Sequence, residues 1–99
     1  MKKQIIIGLF VAGIVASGSA LAFKGEQYSK EAKVSLAEAK TIAVQAFPGK
    51  ITDVELEKEA GGSGLRYSFD IQRGKVVHEV GVDAVTGKVL ENSVDNGKD

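Results

Sequence analysis

Four carboxylates stand at alternate positions, Asp53, Glu55, Glu57 and Glu59, in a 99-residue chain with one histidine, no cysteine and no tryptophan. In an extended strand such side chains project on one side, about 7 Å apart. Consecutive members are then too widely spaced to chelate one small cation among themselves. The row can attract a cationic partner and speed encounter. It can equally be a solvated sheet face with Lys58, Arg66, Arg73 and Lys75 as loose cross-strand partners, the commoner use of such a run.

His78 is the one side chain expected to titrate near neutrality. Its parity with Val80 and Val82 places it at the end of a buried face, beside an aromatic ring. No nucleophile or orienting acid stands at a spacing that would make it a catalytic base. Gly61 to Leu65 (GGSGL) invites comparison with a Gly-x-Ser-x-Gly elbow, but Leu65 takes the place of the final Gly and the loop joins two strands. Asp83 to Gly87 fails the EF-hand pattern at Val85. Tyr67 and Phe69 share the parity of the core, which opposes a base-stacking role. With no cysteine there are no disulfides, thiolate zinc sites or cysteine nucleophiles. One histidine excludes a multi-histidine metal site. The expectation is a chain that is not an enzyme and has no catalytic, metal or cofactor site.

The elements that carry these residues are legible in outline. Ser35 and Glu38 form a capping box. Beyond them Leu36, Ala39, Ile42, Ala43, Ala46 and Phe47 recur at helical spacing. Pro48-Gly49 ends that helix after about 12 residues, with Gly49 expected at positive φ. Period-two runs then predict strands at Thr52 to Glu59, from Leu65, at Val76 to Asp83 and at Lys88 to Asn92, joined by short Gly-containing turns. Val54, Leu56, Tyr67, Phe69, Ile71, Val80 and Val82 fall on one face, which the helix stripe covers. Of Val89 and Leu90 only one can face the core, and periodicity does not say which. The fold class is α+β, one helix on a four-stranded antiparallel meander.

Met1 to Ala22 has the form of an export signal: Lys2 and Lys3, the apolar Ile5 to Ala16, and the small-x-small site Ala20-Leu21-Ala22. Cleavage after Ala22 would leave Phe23 first. The alternative is a retained anchor, since Ile5 to Phe23 is 19 residues without a charge; Ser17, Gly18 and Ser19 argue against it. Either way the remainder is expected outside the cytoplasm, periplasmic or extracellular, with no stable membrane span once the signal is removed. Residues 23–33 read as a flexible lead-in, 34–92 as the domain and 93–99 as a flexible tail. Residues 23–99 carry 11 basic and 13 acidic side chains, a balance that offers nucleic acid no broad basic face.

Three runs together, Val34 to Ala43 (VSLAEAKTIA), Ala46 to Glu57 (AFPGKITDVELE) and Val82 to Leu90 (VDAVTGKVL), resemble the PepSY family. Its pattern is a capped helix, a Pro-Gly turn, an acidic first strand and a closing Asp-Ala-x-Thr-Gly-Lys turn between strands. The resemblance implies a module of the kind found in propeptides of thermolysin-type metallopeptidases, where it helps to hold the enzyme inactive, and in assorted secreted or membrane-anchored proteins. It brings no catalytic residues. With no peptidase domain after Asp99 in the sequence read, the expectation is a free-standing module that acts in trans or has another ligand entirely. The functional expectation is an exported binding module for a protein partner, an inhibitor or modulator of an extracytoplasmic peptidase that docks without covalent chemistry. The alternative is an envelope adaptor that binds a membrane protein or cell-wall component. The partner-binding candidates are the last strand edge, Lys88, Val89, Leu90 and Glu91, and the acidic row Asp53, Glu55, Glu57 and Glu59.

Overall fold

The helix begins where the capping box puts it. In the computed structural model, which describes residues 23–95, α1 spans Leu36–Ala46. Glu38 N donates to Ser35 Oγ at 3.1 Å, and Ser35 N donates to Glu38 Oε1 at 2.9 Å. Two otherwise orphaned amides are thereby satisfied. Phe47, held extended ahead of Pro48, ends the helix. Gly49 does not have the expected positive φ. It is needed for space, since a Cβ there would sit 2.6 Å from the Gln72 carbonyl oxygen.

Four strands follow: β1 (Lys50–Lys58), β2 (Leu65–Arg73), β3 (Val76–Asp83) and β4 (Val89–Val94). They form one antiparallel sheet in chain order. This is the expected α+β meander. The face expected to be covered is the one buried: Leu56, Tyr67, Phe69, Ile71, Val80 and Val82 lie under Ala39, Ala43 and Phe47 of the helix segment. Tyr67 keeps its hydroxyl satisfied by donating to Val34 O at 2.8 Å.

Two bulges alter the expected parity. In β1 the register shifts between Ile51 and Asp53, so Ile51 opposes Ile71 while Val54 opposes Phe69. Both side chains therefore reach the helix-covered face although they are three apart. Between β3 and β4 the shift leaves Leu90 as the extra residue, with Val82 opposite Val89 and Gly81 opposite Glu91. Neither Val89 nor Leu90 is fully buried: Val89 is 38% exposed, and Leu90 lies half-buried against Gly62.

The expected flexible lead-in takes a different form. Glu26–Glu31 winds into a 3-10 helix, entered through Gly25 at φ +88°. Lys24 makes a parallel bridge to Glu55, and Leu56 N donates to Lys24 O at 2.9 Å. Phe23, Tyr28 and Ala32 pack against the core, and this burial outweighs the polar composition that suggested mobility. The first residues of the expected tail likewise pair: β4 runs to Val94, opposite His78, and Asp95 N donates to Val77 O at 2.7 Å. Backbone pairing does not depend on the polarity of these side chains. The expected signal segment, 1–22, and residues 96–99 lie outside the described residues.

Candidate functional site

The sheet face opposite α1 is built from the residues out of phase with the core. Asp53, Glu55, Glu57 and Glu59 come from β1 and its end, Ser68 and Asp70 from β2, and Glu79 from β3; Asp95 closes the far side. Together they line a shallow depression of about 250 Å³. The register sets these contacts, with Asp53 opposite Asp70 and Asp70 opposite Glu79. Cross-strand neighbours approach far more closely than neighbours along one strand. Carboxylate oxygens of Asp70, Glu79 and Asp95 all lie within 4.8 Å of one another.

The expected cations are mostly elsewhere. Lys58 shares the parity of Val54 and Leu56, so it turns to the helix side, where its Nζ lies 3.1 Å from Glu31 Oε1 and 4.9 Å from the Tyr28 ring centre. Arg73 shares the parity of Phe69 and Ile71, and its guanidinium lies 4.5 Å from the Phe47 ring centre. The expectation that these two serve the acidic row is corrected by that parity. Arg66 does turn to the acidic side. It is 8% exposed, its Nη1 lies 3.5 Å from Glu91 Oε1, and its Nη2 donates to Ala60 O. Gly81 leaves room for it, since a Cβ there would meet Nη1 at 3.2 Å.

Crowding and desolvation shift the acids. Burial, followed by the charges of Glu91, Asp70, Glu57 and Asp95, pushes Glu79 up to about 7. Burial also raises Glu55, with Glu57 and Asp53 adding to the effect against Lys24. A hydrogen bond shared with Glu57 raises Glu59. Glu57 in turn accepts from Ser68 Oγ at 2.7 Å. Three carboxylate oxygens are the ligand chemistry of a hard cation, and they are also a set that shares a proton.

Of the other residues singled out, His78 lies where its parity put it. Its ring stacks on Phe47 with centres 3.7 Å apart and planes 4° apart. Nδ1 is 2.7 Å from Asn92 Oδ1, while Asn92 Nδ2 donates to Ala46 O at 3.2 Å. That orientation of the amide assigns the Nδ1 proton to the histidine. The ring joins the end of α1 to β4 and meets no nucleophile. Ser63 is likewise structural: its N and Oγ both donate to Asp83. At the last edge, Lys88 pairs through its backbone with Asp83, Leu90 is the bulged residue next to Val89, and Glu91 holds Arg66.

A second concavity, of about 490 Å³, lies at the outer edge of β1, between that strand, α1 and the N-terminal segment. Period-two reading did not reveal it, because it is bordered by the bulged stretch of β1 and by Phe23 and Lys24, which lie beside that edge. The local signal was Phe23, an aromatic residue at the start of an otherwise polar stretch.

No helix among the described residues is long and apolar enough to cross a membrane. A family model described as PepSY, peptidase propeptide and YPEB domain, matches residues 33–92. Comparison with curated proteins and with solved structures gives no match.

Proposed function

Because the chain belongs to the PepSY family, we propose that it is an exported, non-catalytic binding module that modulates an extracytoplasmic peptidase by non-covalent docking. The observation that carries this reading is the acidic sheet face. Carboxylates from three strands converge there, while Lys58 and Arg73 face the opposite side. A surface of one sign steers an oppositely charged partner and raises the association rate. It performs no bond-breaking step by itself. The docking partner is therefore a peptidase with a basic rim around its cleft, held by shape and charge and released unaltered.

The test is to mix the purified protein with thermolysin-type peptidases and follow peptide hydrolysis and complex formation. Slower hydrolysis, with an association rate that falls as salt is added, supports the reading. Unchanged hydrolysis with no complex at high micromolar protein overturns it.

A further inference from the structure

The concavity beside β1 has a floor that is a sheet edge. Among the described residues β1 pairs with a strand, β2, on one side only. On the other side the chain itself lays one residue of backbone: Lys24 bridges Glu55 in parallel and accepts from Leu56 N. By strand alternation the Val54 N–H points the same way as that of Leu56. From Val54 back to Ile51 the edge runs on along the groove floor, and no described strand covers it.

The walls have the character of a side-chain slot. Phe23, Leu36, Ile51 and Val54 supply apolar surface and pack at the margin of the core. The β1 bulge brings Ile51 and Val54 onto the same face, so the slot is continuous. Its charged members balance, with Lys24 and Lys40 against Asp53 and Glu55. Asp53 and Glu55 also border the acidic depression, but the two lysines offset them here, so the groove favours neither a polyanion nor a polybasic chain. The volume, about 490 Å³, falls in the range of ligand pockets.

We infer that this edge is a second binding site, which takes an extended, uncharged amphipathic peptide segment of a partner protein as an added strand. The segment accepts from Val54 N–H and sets an apolar side chain between Leu36, Ile51 and Val54. Main-chain bonding gives affinity, and the slot gives preference for a branched apolar residue. The site shares Asp53 and Glu55 with the rim of the acidic face but does not depend on the partner being a peptidase. It also differs from the last strand edge, which lies at the other side of the sheet.

Amide NMR of the full chain tests this, with acetyl-Ser-Val-Thr-Leu-Ser-Val-amide as probe and hexalysine as the comparison. The expected result is saturable shifts at Thr52, Asp53 and Val54, with amide exchange at Val54 slowed at least tenfold. Hexalysine should leave amide exchange at Val54 unchanged. Leu36→Lys should weaken the hexapeptide at least tenfold while the sheet amides keep their positions. The wild-type shift map decides the matter should that variant fold poorly. Three outcomes overturn the proposal: shifts confined to Val89–Val94, no shifts at millimolar hexapeptide, or slow exchange at Val54 in the free protein. The last would mean that the chain's own residues or a second copy already covers the edge.

Discussion

An aspartate that is 1% exposed and accepts four hydrogen bonds resists protonation. Asp83 takes bonds from Ser63 N, Ser63 Oγ, Val85 N and Thr86 N, at 2.7 to 3.1 Å. Burial pushes this carboxyl up, but the hydrogen bonds outweigh burial and hold it at about 2. Its folded pKa lies below the unfolded value, so its contribution is complete above about 4 and is lost as pH falls through about 2. Asp83→Asn is expected to cost about 2 kcal/mol at pH 7 and to flatten the acid limb; urea unfolding at pH 7 and pH 3 measures both. Glu79 has the opposite sign. Its folded pKa, about 7, is raised above the ordinary 4.5, so the native state binds the extra proton and stability declines as pH rises between those values. Glu79→Gln should therefore stabilise the fold at pH 8 more than at pH 5. An equal effect at both would disprove the assigned cause. The positions of His78 and the acidic row were legible from period two alone. The approach of Asp70, Glu79 and Asp95 was not, because register and the exit path of β4 bring them together.

At the scale of elements, the capping box and the Pro-Gly stop define α1 from local chemistry, and alternation defines each strand. Lys58 and Arg73 were assigned to the wrong side although their parity was readable. The same rule that buried Leu56 and Ile71 applied to them. The bulges at Thr52 and Leu90 are different, since an inserted residue shifts the phase of the alternation, here Ile51 three before Val54 and Val89 next to Leu90, without saying where the ladder is broken. The 3-10 segment was obscured by its charge. Gly25 shows what holds it: φ is +88°, and any Cβ would collide with the Leu56 carbonyl oxygen. Gly25→Ala should lift this segment from β1, speeding amide exchange at Leu56 at least tenfold while the β2–β3 amides stay protected. Uniform loss of protection would show instead that the segment is integral to the whole sheet.

For the molecule as a whole, the two faces of the sheet divide the labour: one is spent on the core, the other on charge. A double reversal, Glu55→Lys with Glu57→Lys, should slow association with a basic peptidase at least tenfold at low salt and remove most of its salt dependence. Stopped-flow mixing at two ionic strengths checks this. An unchanged rate would point to another docking surface. The family and the layering were legible because they depend on short-range patterns in order. The groove was not, since it exists only where a bulged edge, the start of α1 and the N-terminal segment meet.

The bridge between Lys24 and Glu55 also decides how the protein can be handled. An affinity tag or an immobilising linker joined directly to Phe23 starts from the wall of the groove. Attachment beyond Asp95 starts instead from the rim of the acidic depression, so each choice of terminus obstructs one surface and spares the other.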